Sequence, residues 1–258
     1  MKNLFARVAG RLLARRPLAT YNEMGLTAEE VAERRSENPG PIETLYFENE
    51  GRLANKWLHY LPVYDRVMAP FRDKAPTMLE IGVFFGGSLE LWRKYFGPDA
   101  TIFGIDINPL CAERCDPPNQ VRIGSQADPV FLNSVLAEMG APDIVLDDGS
   151  HISSHQRASF KHLWPALKPG GLYIIEDIHT AYWARMEGGY KRPGTAVEMV
   201  KTLIDDQHGW HHARNPVYAA REDIGGIMVF DSIAVIEKTK RPRPGHYKIG
   251  VLPPGAVA

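Results

Sequence analysis

Four short apolar runs in this sequence end in acidic side chains, and this placement constrains the fold more than any other feature. The runs close on Glu80, on Asp106, on Asp147 and Asp148, and on Glu176 and Asp177. Short apolar runs that alternate with helical stretches are typical of buried parallel strands. Ligands of an open parallel sheet bind outside the carboxyl ends of its strands. We therefore expect these carboxylates to converge on one crevice and to face cationic ligands.

Hydrophobic periodicity and turn residues predict the rest of the layout. We expect strands near 77–82, 101–106, 121–123, 143–147, 171–176, 227–231 and 233–238, and helices near 87–96, 128–139, 154–167 and 195–208. The last two runs are too close for a helical crossover, so they pair antiparallel or lie on separate edges.

The predicted fold class is α/β, a Rossmann-like doubly wound sheet that is mostly parallel with an antiparallel C-terminal strand, plus an N-terminal helical segment. This layout resembles that of class I S-adenosylmethionine (SAM) methyltransferases. We divide the chain into a helical arm and active-site cover over 1–75 and a methyltransferase domain over 76–258.

The segment before the first strand carries three signals. Over 1–20, apolar and basic residues recur at helical spacing, which favours a helix that is frayed or packs on a partner over one that lies on an anionic membrane. Thr27 and Glu30 form a capping-box pattern that starts a second helix. Residues 45–72 are predicted to be helical with a break near Pro62, and their aromatic side chains either pack in the core or cover the sheet edge. His59 and Tyr60 are candidate substrate contacts.

Composition excludes several classes of protein. At 258 residues, of which 44% are hydrophobic, the chain can bury a sizeable core. A net charge of −1 gives no global field for nucleic acid. No apolar run reaches roughly 18 residues, so we expect no membrane span and no membrane contact. Cys111 and Cys115 fit neither a disulfide framework nor a zinc ribbon, which favours a reducing, cytoplasmic environment.

A glycine-containing loop joins the first strand to the first helix after it. Gly82 and Gly86 let the backbone turn sharply and approach a ligand, and Ser88 opens the helix. Glu80 stands two residues before the first glycine, where a carboxylate can hold the ammonium group of a methionine moiety. These four residues are candidate cofactor contacts.

The ends of the next strands extend the candidate cofactor set. Asp106 is positioned to accept hydrogen bonds from ribose hydroxyls, and Ser125 and Gln126 follow the third strand, where an adenine edge would lie. Asp147 completes the set. Together they favour a nucleoside cofactor. NAD also fits Asp106, but the two phenylalanines of the glycine loop and the terminal hairpin favour SAM.

A candidate metal site follows the fourth and fifth strands. Because neighbouring strands lie about 4.8 Å apart, Asp148, Glu176 and Asp177 can reach one cation. An all-oxygen ligand set suits Mg²⁺ or Mn²⁺. His151 and His155 are spaced as zinc ligands would be, but no cysteine or further motif supports zinc. The alternative is a set of helix caps and salt bridges.

Three segments resemble the metal-dependent sugar O-methyltransferases of macrolide and polyketide tailoring, of the mycinamicin and rhamnosyl-tetracenomycin type. They are Glu80 to Ser88, Asp147 to His151, and Glu176 to Trp183, within a similarity over roughly 55–238. The D-D-G-S-H motif paired with E-D-x-x-T-x-Y-W is its most specific part. The chain is shorter than members with an extra amino-terminal domain, and His179 stands where a neutral polar residue is usual.

The resemblance implies roles for the candidate residues. Asp148, Glu176 and Asp177 would hold Mg²⁺, with Mn²⁺ as an alternative, and Asp148 would take part in catalysis. His151 would be the general base, because histidine can accept a proton near neutral pH. SAM would lie against the residues that the strand ends indicate, which are Glu80, Asp106 and Gln126.

The same resemblance implies a glycoside or saccharide as methyl acceptor. Tyr182 and Trp183 could stack on a sugar ring, and His179 is a further candidate contact. An NAD-dependent oxidoreductase, a non-catalytic SAM- or metal-binding scaffold and a cephalosporin-type O-methyltransferase are the alternatives. The sequence leaves a homo-oligomer open and indicates no nucleic-acid partner.

Overall fold

The computed structural model describes residues 25–251, and the basic helix expected over 1–20 lies outside this range. Within it the sheet consists of β1 (Thr77–Ile81), β2 (Thr101–Asp106), β3 (Gln120–Ile123), β4 (Ile144–Asp147), β5 (Leu172–Ile175), β6 (Ile224–Phe230) and β7 (Ile233–Lys238). The strand order is β3-β2-β1-β4-β5-β7-β6. Strands β1 to β5 run parallel, and β7 runs antiparallel to both β5 and β6. The predicted fold class is confirmed.

Local sequence signals set the helix bounds. The helices are α1 (Ala28–Arg34), α2 (Pro41–Phe47), α3 (Leu61–Met68), α4 (Gly87–Phe96), α5 (Pro129–Met139), α6 (Ser153–Ala166) and α7 (Ala196–Gln207). The Thr27 hydroxyl accepts from the Glu30 amide while the Glu30 carboxylate accepts from the Thr27 amide, so the capping box is formed. Asp128 likewise caps α5 through the amides of Val130 and Phe131.

The helix expected over 45–72 is interrupted. Residues 48–57 form no helix, and a 3₁₀ turn at Leu58–Tyr60 leads into α3. Asn49 explains part of this difference, because its side chain accepts from the Gly51 amide and donates to the Arg52 carbonyl. Such side chain–backbone bonds compete with helix formation.

Hydrophobic packing covers both faces of the sheet. Successive strand residues alternate between faces, so Met78 joins one buried cluster and Leu79 the other. Helices α2, α3 and α4 cover the first face, and α5, α6 and α7 cover the second. Residues 41–71 therefore share a core with β1, and the division of the chain at residue 75 stays a prediction.

Strand register brings the functional ends together. Ile81 lies opposite both Ile105 and Asp147, and Asp147 lies opposite Ile175. The residues that follow each strand therefore emerge along one edge. Across residues 25–251, no helix combines the length and apolarity needed to cross a bilayer.

Candidate active site

Asp148, His151 and Asp177 come together where β4 and β5 end. Each offers one ligand atom, and these three atoms lie within 4.8 Å of one another. His151 Nε2 lies 3.9 Å from Asp148 Oδ1 and 3.7 Å from Asp177 Oδ2. His151 and Asp177 have left-handed backbones, with φ of 55° and 53°. Such strained residues cluster at functional sites, where the surrounding structure fixes them.

Glu176, the third predicted metal ligand, faces a lysine. Lys56 Nζ lies 2.8 Å from Glu176 Oε1 and 2.5 Å from Asp148 Oδ2, and the lysine side chain is 2% exposed. Burial alone would lower the pKa of Lys56, but Asp148, Glu176 and Glu80 outweigh it and raise that pKa well above its usual value. Lys56 is therefore a buried cation inside the acidic cluster formed by Asp148, Glu176 and Asp177.

The surroundings of the Glu176 carboxylate disfavour its ionised form. Burial and then the charge of Asp148 raise the pKa of Glu176 well above its usual value, and Lys56 acts in the opposite direction. A nearby divalent ion would favour the ionised form in the same way as Lys56 does. A metal-binding role for Glu176 stays a prediction.

Two buried tyrosines support the acidic cluster from behind. The Tyr60 hydroxyl donates to Asp177 Oδ1 at 2.8 Å, and the Tyr64 hydroxyl donates to Glu176 Oε1. Burial, followed by the neighbouring carboxylate, raises the pKa of each phenol, so both stay protonated donors. Tyr60 is fully buried and is not part of the cavity lining, and its contact with substrate stays a prediction. His59 is also outside the cavity lining, with its Nε2 3.0 Å from the Asp231 carbonyl oxygen.

The glycine loop surrounds an incompletely satisfied carboxylate. Ser88 Oγ donates to Glu80 Oε2 at 2.9 Å. Glu80 Oε1 is buried and accepts no hydrogen bond within the described residues, while Lys56 Nζ is 3.7 Å away. Burial raises the pKa of Glu80 to about 7. A cation that reached Oε1 would satisfy this acceptor.

Asp106 orders the loop beside that carboxylate. Its Oδ2 accepts from the amides of Val83 and Phe84, at 2.9 and 3.3 Å, and its Oδ1 accepts from the Asn108 amide. Gly82 has φ +94°, and a Cβ there would lie 2.2 Å from the Asp148 carbonyl oxygen. Glycine is therefore required where the loop crosses the end of β4. Gly86 packs against Arg114 instead and does not line the cavity.

Of three further predicted cofactor contacts, Gln126 and Asp147 are buried and Ser125 is half-buried. Gln126 Nε2 donates to Asp147 Oδ1 at 2.9 Å, and Gln126 Oε1 accepts from the Ser150 amide at 2.8 Å. Asp147 is fully buried, and its Oδ2 accepts from Ser159 Oγ at 2.6 Å. Ser125 Oγ accepts from a backbone amide. None of the three lines the cavity, and the two bonds of Gln126 tie Asp147 to the backbone of Ser150 in the Asp148–His151 loop.

A cavity of about 520 Å³ joins the glycine loop to the acidic cluster. Of the predicted residues, those that line it are Gly82, Ser88, Asp106, Asp148, His151, Glu176, Asp177, His179 and Trp183. Tyr182, by contrast, is 46% exposed and lies outside the lining. The His179 ring bonds to Ser232 through Nδ1, and burial lowers its pKa although Asp177 opposes that effect.

Sequence reasoning missed several lining residues. They are Leu53, Ala54, Asn55, Lys56, Val83, Phe84, Gly149, Thr180, Arg185 and Met186. The Arg185 guanidinium lies 4.8 Å from the Trp183 ring centroid, so these side chains form one wall. The available signal for Lys56 was a lysine within an aromatic-rich stretch that was expected to cover the sheet edge.

Comparison with curated proteins finds methyltransferases that act on sugars. The 8-demethyl-8-alpha-L-rhamnosyl tetracenomycin-C 2'-O-methyltransferase of Streptomyces olivaceus is 38% identical over 215 residues, which are 77% of this chain and 55% of that protein. The mycinamicin VI 2''-O-methyltransferase of Micromonospora griseorubida is 39% identical over 73% of this chain and 50% of its own length. The chain thus spans about half the length of the curated relatives it matches. No family model matches the sequence.

Comparison with solved structures gives the same result. The MycE methyltransferase of the mycinamycin biosynthetic pathway, in complex with Mg and SAH, has a TM-score of 0.68 and 33% identity over 80% of this chain and 55% of that one. A complex of MycE with Mg, SAH and mycinamycin VI has a TM-score of 0.68 and 30% identity, and the match covers 88% of this chain and 66% of that one.

Proposed function

The chain belongs to the class I SAM-dependent methyltransferases and is related to the sugar O-methyltransferases of macrolide and tetracenomycin pathways. From this relationship we propose that it methylates a sugar hydroxyl. The methyl donor would be SAM, and a divalent metal ion, Mg²⁺ or Mn²⁺, would assist. The acceptor would be a glycosylated small molecule or a saccharide. The convergence of Asp148, His151 and Asp177 on one edge of the cavity carries this proposal.

The cofactor fits the glycine-loop end of the cavity. Glu80 is fully buried and is not part of the cavity lining, but its Oε1 lacks a hydrogen bond within the described residues, so it suits the ammonium group of a methionine moiety. Asp106 lies at the end of β2 beside the same cavity, where it can accept from ribose hydroxyls. An NAD-dependent oxidoreductase is not favoured, because the named relatives are methyltransferases and the sheet ends in an antiparallel hairpin.

The metal fits the other end of the cavity. Asp148 Oδ1 and Asp177 Oδ2 both face the point where His151 Nε2 lies, and carboxylate oxygens are the ligands that Mg²⁺ prefers. When bound, the ion would lower the pKa of an acceptor hydroxyl and orient it. Asp148 and Asp177 would hold the ion, with Glu176 as the third proposed ligand.

The protein's own residues would supply proton transfer and orientation. We assign His151 the role of general base, because a hard divalent ion prefers the oxygens and leaves the imidazole for a proton. Thr180 Oγ1 donates to the His151 carbonyl at 3.1 Å and fixes that backbone. The buried indole of Trp183 lines the acceptor side, where an aromatic ring can cover a sugar face. Much of the rate acceleration would come from this positioning.

Two measurements test the proposal. Isothermal titration with SAM, with and without Mg²⁺, measures cofactor binding, and release of S-adenosylhomocysteine is then followed with a panel of rhamnosylated acceptors. We expect turnover with at least one glycoside, loss of turnover with EDTA and recovery with Mg²⁺ or Mn²⁺. Turnover that survives EDTA contradicts the metal role, and binding of NAD in place of SAM contradicts the reaction. Cephalosporin-type acceptors in the panel test the alternative O-methylation.

A further inference from the structure

Lys56 lies where a bound cation would be expected. Its ammonium group contacts Asp148 and Glu176 and approaches Glu80 to 3.7 Å, with only 2% of its side chain exposed. It belongs to the non-helical loop over 48–57 and not to the sheet that carries the acids. A buried lysine requires close carboxylate partners to stay charged. These contacts supply them.

In each of the three acids, one carboxylate oxygen bonds to a lysine or tyrosine side chain, and in Asp148 and Asp177 the other oxygen lies nearer His151. Lys56 holds Asp148 Oδ2, Lys56 and Tyr64 hold Glu176 Oε1, and Tyr60 holds Asp177 Oδ1. The second oxygens of Asp148 and Asp177 face the His151 side of the cavity. Lys56 therefore contacts the Asp148 oxygen that is not the one nearest His151, so the ammonium and a metal ion could use different oxygens of this acid.

The charges of these groups match a divalent ion. Asp148, Glu176 and Asp177, when ionised, contribute three negative charges, and Lys56 contributes one positive charge at direct contact with two of them. Among these four groups two negative charges are left for the metal to neutralise; Glu80, 3.7 Å from Lys56 Nζ, belongs to the proposed cofactor site and is not counted. Tyr60 and Tyr64 orient two of these carboxylates and carry no charge themselves.

We propose that Lys56 is a positioning residue that sets the charge of this site to suit a divalent cation, and the proposal rests on the metal site of the proposed function. Loss of the ammonium would leave three negative charges. The binding free energy of a trivalent ion would become more favourable by a larger amount than that of a divalent ion, because the attraction grows with the charge of the ion. With an effective dielectric constant near 20 and a separation of about 5 Å, the preference would move by about 300-fold, and rearrangement would reduce it, so we expect at least about tenfold.

The experiment measures ion selectivity in the apo protein and not activity. Binding of Mn²⁺ is followed by electron paramagnetic resonance and binding of Tb³⁺ by luminescence, for wild type, Lys56→Met, Lys56→Arg and Tyr64→Phe. Lys56→Gln supplies the neutral site if the methionine variant does not fold, as judged by circular dichroism. The measured quantity is the ratio of the Tb³⁺ affinity to the Mn²⁺ affinity. A variant that only disorders the site would weaken the binding of both ions and leave this ratio unchanged.

We expect the Tb³⁺ preference to rise at least about tenfold in Lys56→Met and to stay near the wild-type value in Lys56→Arg. Tyr64→Phe is the matched control: it removes a hydrogen bond from the same Glu176 oxygen without removing charge, so the ratio should not change. An unchanged ratio in the neutral variant overturns the inference, including the case where both ions bind more tightly because Lys56 had blocked their place. Failure of wild type to bind Mn²⁺ contradicts the proposed function instead.

Discussion

Glu80 gives the sharpest test of the cofactor site, because its protonation should control SAM binding. The carboxylate is buried, which raises its pKa to about 7, and Oε1 has no hydrogen bond within the described residues. Only the ionised form attracts the ammonium group of the cofactor. We therefore expect SAM affinity to rise as pH increases through 7, and Glu80→Gln to remove this dependence.

The size of the effect follows from the fraction of ionised Glu80. With a pKa of about 7, about a tenth of the molecules carry the charge at pH 6 and about half at pH 7. Apparent affinity scales with the binding-competent fraction, so SAM should bind about fivefold more tightly at pH 7 than at pH 6. The amino group of SAM stays protonated over this range, since α-amino groups titrate near 7.7.

The assay is isothermal titration of the metal-free protein with SAM at several pH values between 6 and 7. Ser88→Ala is the matched variant, because loss of the hydroxyl that donates to Glu80 Oε2 should raise the pKa of Glu80 further. Its affinity profile should shift to higher pH. Equal pH dependence in wild type and Glu80→Gln, or an affinity that falls as pH rises, refutes the reasoning.

Three further changes test other parts of the structure. Asp148→Ala should abolish metal-dependent turnover and weaken Mn²⁺ binding, while SAM affinity stays within about twofold. The reason is that the Asp148 side chain bonds to Lys56 and not to side chains of the glycine loop. Equal loss of Mn²⁺ and SAM affinity would contradict separate metal and cofactor sites. The Gly82→Ala variant should unfold at a lower denaturant concentration than the Gly97→Ala variant. Both glycines have positive φ, but only a Cβ at Gly82 would clash with backbone atoms. Equal unfolding midpoints for the two variants would contradict this clash. Asp206→Ala should cost about 3 kcal/mol of unfolding free energy, because its buried carboxylate accepts from three backbone amides of the 217–219 loop; a cost below about 1 kcal/mol would contradict that anchoring role.

Much of the fold follows from local patterns that the sequence displays. The strand ends at Asp106 and Asp147, and those within one residue of Glu80 and Glu176, were predictable because continuous apolar runs report burial on both faces of a parallel sheet. Helix starts at caps were predictable because a cap and the amides it satisfies lie within a few residues. The interruption over 48–57 was missed, because hydrophobic spacing alone does not report the competing bonds of Asn49.

By itself the sequence located the carboxylates at the strand ends, because continuous apolar runs followed by acidic residues indicate where buried parallel strands end. Only the tertiary structure decided what each carboxylate faces there. Lys56 lies 92 residues before Asp148, and Tyr60 lies 117 residues before Asp177, yet both pairs are in direct contact. Such partners depend on how the helical layer packs on the sheet, and no local pattern encodes that geometry. For the same reason, sequence position suggested Gln126 and Asp147 as cofactor contacts but gave no sign of the hydrogen bond between them.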